Sequence, residues 1–155
     1  MTRLDKVYMR EALKEAGRAA QEDEVPVGCV VVYKGKIIAR AHNQVERLSD
    51  PTAHAEMLVL TSAANYLKTK WLSEAVIYVT IEPCPMCAGA LVLARIGSLR
   101  FGAKDPKTGA CGSLMNIASH KHLNHRIKVK GGILEEECGA LISEFFRKKR
   151  KIRDK

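Results

Sequence analysis

Hydrophobic residues near the start of the chain recur every three or four positions, the spacing that places side chains on one face of a helix. The residues of this stripe are Leu4, Val7, Tyr8, Ala12, Ala16 and Ala19. The pattern changes at Val25–Tyr33, an apolar and β-branched run that is typical of a buried strand. A turn at 34–36 and a second apolar run at 37–39 predict that two strands form a hairpin.

The rest of the pattern alternates helices with strands. Helices are predicted over 52–67, 85–95 and 134–152, and strands over 75–80, 99–102 and 127–130. The segments 44–51, 103–113 and 120–125 are predicted loops, with a short helix near 113–119. A hairpin followed by alternating elements favours an α/β fold, in which a mixed sheet carries helices on both faces. We therefore expect a three-layer α/β/α architecture.

Length and cysteine content narrow the class of protein. The 155 residues and the 46% hydrophobic content predict one globular domain, 1–155. No apolar run is long enough to span a membrane, and the charged N-terminal segment does not resemble a signal peptide. Five cysteines are an odd number and do not suggest a disulfide framework, so a reducing cytoplasm is expected. Cys29 and Cys138 lie among apolar residues and are expected to be buried, whereas Cys111 has no role that the sequence indicates.

The strongest chemical signal is a pair of short motifs. His54-Ala55-Glu56 is followed, about thirty residues later, by Pro83-Cys84-Pro85-Met86-Cys87. One imidazole and two thiolates give three protein ligands, and a tetrahedral zinc ion with three protein ligands keeps an open position, as catalytic sites do. Glu56 is not needed as a ligand, so its carboxylate is available for proton transfer. We expect one zinc ion per chain, with Glu56 as the catalytic residue.

The spacing of these residues indicates two helix starts. Residues two apart on a helix project about 200° apart, so His54 and Glu56 converge most easily near a helix end. Asp50-Pro51-Thr52 supplies start signals just upstream. Pro85 suits a first helical position, which predicts Cys84 as the cap and Cys87 as the third helical residue. Helix N-termini favour negative charge and lower the pKa of thiols, which suits a thiolate metal site.

Simpler interpretations of the cysteine motif exist. A lone C-x-x-C also occurs in redox dithiols and as half of a structural zinc site. No second C-x-x-C is present, and the H-x-E motif at a second predicted helix start favours the catalytic interpretation.

Positive charge is concentrated at the C-terminus. The chain carries 26 basic and 17 acidic residues, a net charge of +9. The basic segment 147–155 holds seven Lys or Arg and one Asp, so it accounts for six of these net charges. Such an end is typical of nucleic-acid binding, although a solvated helix end has the same composition. The predicted zinc chemistry favours nucleic acid.

The chain resembles the bacterial tRNA adenosine deaminases over nearly its whole length. The zinc motif is shared by all cytidine deaminase-like enzymes, whereas the segments after residue 100 are specific to this family. The matching segments are Asn43, Pro51 to Glu56, Tyr78 to Cys84, Met86 to Gly89, Phe101 to Asp105, Gly112 to Asn116, Leu123 to Arg126 and Phe145 to Arg147.

The resemblance implies a fold, a reaction and a set of roles. The fold is a five-stranded mixed sheet flanked by helices, in a homodimer that converts the wobble adenosine of a tRNA anticodon to inosine. Zinc is held by His54, Cys84 and Cys87. Glu56 takes a proton from the attacking water, passes it to N1 of adenine and then protonates the leaving amine. The base is contacted by Val27, Asn43 and Ala53.

The same resemblance places RNA contacts on the later loops and the last helix. They are Asp105, Lys107, Asn124, His125, Arg126, Phe145, Phe146, Arg147 and Arg150. Without the resemblance, Asn43 reads as a turn residue, Val27 as core and the loop residues as solvent-exposed. Phe145 and Phe146 are adjacent on a helix and cannot share one stripe, so we expect one ring in the core and the other near the RNA.

Two other functions fit parts of the sequence. A deaminase of a free nucleoside, base or nucleotide explains the zinc motif equally well but has no need of a basic C-terminal helix. An RNA-binding module with structural zinc predicts a fourth protein ligand, for which His42 is a candidate, and gives Glu56 no role.

Overall fold

The computed structural model of the chain describes residues 1–154, and Lys155 of the basic segment 147–155 lies outside the described residues. The elements in chain order are α1 (Arg3–Gln21), β1 (Gly28–Tyr33), β2 (Lys36–His42), α2 (Val45–Leu48), α3 (Ala55–Leu67), β3 (Ala75–Ile81), α4 (Pro85–Leu93), β4 (Ser98–Ala103), β5 (Lys128–Lys130) and α5 (Glu135–Arg153). Within residues 1–154, no helix is long and apolar enough to cross a membrane.

The sheet is mixed, as the pattern predicted. Its strand order is β2-β1-β3-β4-β5. β1 runs antiparallel to both β2 and β3, whereas β3, β4 and β5 are parallel. The two parallel connections bring the carboxyl ends of β3 and β4 to the same edge of the sheet. The chain segments that leave these two ends therefore lie side by side.

Helices cover both faces of the sheet, which confirms the three-layer prediction. α1 and α5 pack on one face, while α3 contacts β1 and β2 on the other face, with α4 beside it. The larger core cluster lies beneath α3 and α4 and contains Cys29, which is fully buried. The smaller cluster lies beneath α1 and α5 and contains Cys138. The expected burial of both cysteines is confirmed.

The start of α1 shows how local sequence sets an element boundary. Thr2 caps the helix by accepting a hydrogen bond from the backbone N–H of Asp5, and the Asp5 carboxylate accepts one from the backbone N–H of Thr2. This reciprocal pair satisfies two backbone donors that the first helical turn leaves free. The other Asp5 oxygen accepts a 2.7 Å hydrogen bond from the Tyr78 hydroxyl on β3, which ties the helix start to the sheet.

Two local predictions were wrong. The segment near 113–119 is not helical but forms turns, with an isolated bridge between Cys111 and Asn116. The N–H groups of Met115 and Ile117 donate to the carbonyls of Gly109 and Ala110 and not to the carbonyls four residues back, so the hydrogen bonds of a helix do not form. Within the predicted loop 44–51, Val45–Leu48 forms one helical turn, α2. A distant carboxylate, Glu24, holds the start of that turn by accepting from the backbone N–H groups of Glu46 and Arg47.

Gly28 marks the closest approach of α1 to the sheet. A Cβ at this position would overlap the backbone oxygen of Ala12 and the backbone nitrogen of Ala16. We expect Gly28→Ala to lower the free energy of unfolding by about 1–3 kcal/mol, because the helix must move away from the strand. Gly17→Ala is the matched control, since a Cβ there meets no atom within 4 Å. It should raise that free energy by about 0.5–1 kcal/mol because glycine weakens a helix interior. Urea denaturation measures both, and equal effects of the two changes would contradict this view of Gly28.

Candidate metal and catalytic site

Two helix starts meet at the carboxyl edge of the sheet. His54 is the N-cap of α3, and Cys84 is the N-cap of α4 with Pro85 at its first helical position. Cys87 is the third residue of α4, as the motif spacing predicted. The His54 Nδ1 atom lies 3.7 Å from Cys84 Sγ and 3.5 Å from Cys87 Sγ. The structure thus brings together one imidazole and two thiols from segments that are thirty residues apart in the chain.

The start of α3 is held by a side chain from the preceding strand connection. His54 makes no side-chain capping bond of its own. The backbone N–H of Ala55 instead donates a 2.7 Å hydrogen bond to Asn43 Oδ1. Asn43 is only 7% exposed and follows β2 directly. The end of β2 therefore fixes the position of the first turn of α3, and the His54 ring is free to face the two cysteines.

The two thiols differ in their acidity. The hydrogen bond from the Cys87 thiol, together with a second contact from His54, lowers the pKa of Cys84 to about 4. Donating that bond, together with burial, raises the pKa of Cys87. The hydrogen bond to Cys84 raises the pKa of His54. The cluster therefore stabilises the thiolate of Cys84 at the N-terminus of α4, where the positive end of the helix dipole also favours negative charge.

Glu56 lies at the second position of α3 and is 2% exposed. Burial raises the pKa of Glu56 to about 7. Its Oε1 atom is buried and has no hydrogen-bond partner among residues 1–154. A buried carboxylate oxygen without a hydrogen-bond partner destabilises the fold. A ligand bound in the site would supply the missing partner. This oxygen is the clearest sign that the site is built for a molecule that binds there.

The three donor atoms fit a zinc ion. The Nδ1 atom of His54 and the Sγ atoms of Cys84 and Cys87 all lie within 4.8 Å of one another. Imidazole nitrogen and thiolate sulfur are the ligands that zinc prefers, and three of them leave one coordination position open. His42 does not belong to this group, because its ring nitrogens contact the carboxylates of Glu15 and Glu22. A structural site with His42 as fourth ligand is therefore not supported.

A wide cleft of about 1860 Å³ opens above these residues. Val27, Asn43, His54, Glu56 and Cys84 form part of its lining. Ala53 is 2% exposed and is not part of the lining, although its carbonyl accepts from Gln44 beside Asn43. The volume exceeds what a single base requires. The rim carries charged side chains of both signs. The acidic residues are Glu22, Asp23, Glu24, Glu46 and Asp105, and the basic residues are Arg47, Lys104, Lys107, Lys149 and Arg150.

The last helix forms one wall of the cleft. Phe145 and Phe146 both line it, with ring centroids 5.4 Å apart, and Phe146 is 43% exposed. Neither ring is fully buried, so the expectation that one of them lies in the core was wrong. Lys149 bonds Asp23 at 2.6 Å across the cleft, whereas Arg147 bonds Glu144 on its own helix and does not line the cleft.

The loop after β4 and the loop before β5 lie at opposite ends of the sheet. Asp105 and Lys107 belong to the first loop and line the cleft. Asn124, His125 and Arg126 belong to the second loop and do not line it. Within this loop, His125 Nε2 lies 2.7 Å from the carbonyl of Ile96, two residues before β4 begins. The structure thus separates residues that the sequence analysis grouped together.

Two buried glutamates shape the cleft and were not predicted. Glu82, 2% exposed, follows β3 and accepts hydrogen bonds from the backbone N–H groups of Asp105, Cys111 and Ser113 and from the Ser113 hydroxyl. Glu24, 1% exposed, holds α2 on the other side. Burial by itself raises the pKa of Glu82, but these hydrogen bonds outweigh it and lower the pKa. A charged residue at the end of an apolar strand was the available signal for Glu82.

Comparison with known proteins agrees with this geometry. A five-stranded mixed sheet flanked by helices, with this ligand cluster at the carboxyl edge, is the cytidine deaminase-like fold. A solved structure from a study of A-to-I editing by tRNA:A34 deaminases superposes with a TM-score of 0.81, at 42% identity over 86% of this chain and 97% of that one. The guanine deaminase from Nitrosomonas europaea superposes with a TM-score of 0.77, at 25% identity over 90% of this chain and 83% of that one.

Sequence comparisons identify a more specific group of relatives than the fold does. The MafB19-like deaminase family matches residues 4–150. The tRNA-specific adenosine deaminase of Bacillus subtilis is 53% identical over 95% of this chain and 91% of its own length. That of Aquifex aeolicus is 50% identical over 92% and 94%. The chain belongs to the MafB19-like deaminase family and, within it, to the tRNA-specific adenosine deaminases.

We expect Glu82→Gln to loosen the loop 104–113. Each Glu82 oxygen accepts two hydrogen bonds, and a glutamine amide would turn its NH₂ group towards donors in either orientation. The free energy of unfolding should fall by about 1.5–3 kcal/mol at neutral pH. Glu137→Gln, at an exposed position of α5, is the control and should change it little. The measurement is urea denaturation.

The pH dependence of the same difference provides a second check. The pKa of Glu82 is lowered on folding, so the carboxylate contributes its full stability above the ordinary glutamate pKa of 4.5. This contribution should be lost as the pH falls below that value through the folded-state pKa. The gap between wild type and Glu82→Gln should therefore narrow in acid. A gap that is constant between neutral and acid pH would show that the charge of Glu82 is not what holds the loop.

Proposed function

We propose that this chain catalyses the zinc-dependent hydrolytic deamination of adenosine to inosine at the wobble position of tRNA, as one deaminase domain with a basic C-terminal helix. The observation that carries the proposal is the unpartnered Glu56 oxygen, buried beside one imidazole and two thiols at the floor of an open cleft. The identity to relatives named as tRNA-specific adenosine deaminases supports the choice of substrate.

His54, Cys84 and Cys87 are the residues that would hold the metal. A zinc ion bound there would supply a Lewis acid that lowers the pKa of a water molecule to about 7. Glu56 takes a proton from the attacking water and delivers it to N1 of adenine. The water oxygen bonds to C6. Glu56 then transfers the proton that remains on this oxygen to the amino group at C6, so the C6–N bond breaks, ammonia leaves and a carbonyl remains. Burial keeps Glu56 away from bulk water, so it exchanges these protons with the substrate.

Asn43 and Val27 orient the base. The Asn43 oxygen is occupied by the N–H of Ala55, so its side-chain NH₂ group is the part that a base in the cleft can use. It therefore donates to an acceptor nitrogen of the purine. Val27, 6% exposed, offers an apolar surface against the ring. Ala53 supports this arrangement from behind, through its backbone bond to Gln44.

The cleft suits a splayed nucleotide within an RNA loop. Lys104, Lys107 and Arg150 lie on its rim, and among residues 1–154 none of them has a carboxylate within salt-bridge distance. Phe146 presents an exposed ring on which a neighbouring base can stack. An anticodon loop offers such unstacked bases at low cost. Because a tRNA substrate is found in the cytoplasm, we propose that location for the enzyme.

A deaminase of a free base is the alternative that the fold itself allows, because the Nitrosomonas europaea guanine deaminase shares the architecture. The decisive experiment incubates the protein with an anticodon stem-loop that carries a wobble adenosine, and in parallel with free adenosine, guanine, cytosine and cytidine. Inosine formed in the stem-loop at a rate well above any free compound supports the proposal. Faster turnover of a free base than of the stem-loop would instead support the free-base deaminase.

Glu56→Gln tests the mechanism. The amide keeps the shape of the carboxylate but cannot accept a proton, so turnover should fall by at least ~10²–10⁴-fold. One zinc per chain should remain, because Glu56 is not among the three ligands, whereas Cys87→Ala should lose both metal and activity. The measurements are metal analysis and single-turnover inosine formation, with Glu136→Gln on the exposed side of α5 as control. A Glu56→Gln enzyme with near-normal rate would exclude this mechanism.

We also propose that the chain forms a homodimer through the outer face of α4. Leu93 is 80% exposed on this helix, and no atom lies within 4 Å of a Cβ at Gly89. Leu114 and Met115, which follow the loop held by Glu82, are 55% and 41% exposed. An apolar helix face that the chain itself leaves uncovered is typical of a subunit interface.

Leu93→Glu should therefore convert the dimer to a monomer, because a buried carboxylate at the centre of the interface lacks a partner. Leu4→Glu, at a position of α1 that is 60% exposed, is the control and should remain dimeric. Sedimentation at micromolar concentration distinguishes the two states. A monomeric wild-type chain under these conditions would contradict the proposal.

A further inference from the structure

Lysines and arginines without ion-pair partners accumulate at the end of the sheet opposite the cleft. Four segments meet there, 33–36, 68–74, 95–98 and 119–128, and their only acidic residue is Glu74. Eight basic residues lie in these segments, and we call them, together with Trp71, the distal basic surface: Lys34, Lys36, Lys68, Lys70, Arg95, Lys121, Arg126 and Lys128. All except the half-buried Arg95 are exposed.

Strand register and hydrogen bonds place these segments together. Tyr33 pairs with Ala75 at the start of β3, and Ser98 at the start of β4 pairs with Lys128. The N–H of Leu72 donates to the carbonyl of Ala94, and the N–H of Lys128 donates to the carbonyl of Gly97. The cleft, in contrast, begins beyond the far ends of β3 and β4. The seven residues of β3 separate the two ends by roughly 20 Å.

Trp71 lies at the centre of this surface. Its side chain is 50% exposed, and Lys70 Nζ and Arg95 Cζ each lie 5.0 Å from the ring centroid. An exposed aromatic ring flanked by two cations offers a stacking surface and phosphate contacts in the same place.

The positive charge of the distal basic surface is not neutralised by the fold. Elsewhere on the chain, some basic side chains, such as Lys14 and Arg40, are bonded to carboxylates. Within the described part of the chain, Lys104, Lys107 and Arg150 on the cleft rim are not. Among residues 1–154, none of the eight basic residues named above has a carboxylate within salt-bridge distance. Cations held without internal partners are available to an external polyanion, and counterion release makes such binding favourable.

From this arrangement we infer that the distal basic surface is a second RNA-binding surface, which contacts the tRNA outside its anticodon loop. The inference rests on the proposed tRNA substrate. The proposed target adenosine lies in the cleft, and this surface lies roughly 20 Å away at the other end of β3, so the contact involves a part of the tRNA outside the anticodon loop. The position of Arg126 also fits this inference, since it belongs to this surface and not to the cleft.

The test compares full-length tRNA with the isolated anticodon stem-loop. The variant is Lys70→Glu/Arg95→Glu, and the control Lys6→Glu/Arg10→Glu makes the same change in net charge on the exposed side of α1. Dissociation constants are measured by fluorescence anisotropy at several salt concentrations. The variant should bind full-length tRNA at least tenfold more weakly, with a salt slope smaller by about 0.7–0.9 per lost contact. Its affinity for the stem-loop and its kcat should match those of wild type.

Trp71→Ala separates a binding role from a structural one. Loss of stacking should weaken tRNA binding with little change in the salt slope, since stacking releases no counterions. If Trp71 has only a structural role, in holding the segment 68–74 against the end of α4, Trp71→Ala should lower the melting temperature and leave the tRNA affinity unchanged.

Three results would overturn the inference: equal tRNA affinity of variant and wild type, an equal loss for the stem-loop, or an equal loss in the control. Wild-type deamination of the stem-loop is scored separately, so a failure of the proposed function is recognised independently.

Discussion

The meeting of two helix N-termini at one edge of the sheet is the constraint on which the rest of this structure depends. α3 and α4 begin side by side, and their cap positions carry His54 and Cys84. Neither cap residue uses its side chain to satisfy the helix, so both side chains face the space between the helices. One backbone donor at the start of α3, the N–H of Ala55, bonds Asn43, and Pro85 has no N–H at the start of α4. The ligand cluster exists because other residues do the capping.

Buried carboxylates accept hydrogen bonds from backbone N–H groups of the segments that form the walls of the cleft. Glu24 and Glu82 each accept backbone N–H groups from a segment with little regular structure of its own. A charged acceptor that receives several N–H donors can remain ionised when buried. The two walls are thus fixed by polar contacts, whereas the floor is fixed by apolar packing beneath α3 and α4. Glu56 differs from both, because its buried oxygen has been left without a partner.

Much of the fold and of the His54–Cys84–Cys87 cluster could be predicted from the sequence, because both are encoded over short distances. Apolar periodicity located the long helices and the strands, and Pro85 fixed the register of the C-x-x-C motif on α4. The helix predicted near 113–119 failed because the N–H groups of Met115 and Ile117 donate to Gly109 and Ala110 in the preceding loop and not to carbonyls four residues back. The prediction for the Phe145–Phe146 pair failed because both rings line a cleft that is formed by segments distant in the chain.

The sequence by itself therefore indicated the cluster of one imidazole and two thiols, the separate position of Glu56 beside it and the three-layer architecture. These follow from residue types at spacings of two or three, which local backbone geometry converts directly into shared positions. Only the tertiary structure decided which loops share an end of the sheet. It placed Asp105 at the cleft and Arg126 at the opposite end, although both belong to loops that flank strands in neighbouring positions. The physical reason is strand direction: β4 and β5 are parallel, so the loop that follows β4 and the loop that precedes β5 must lie at opposite ends.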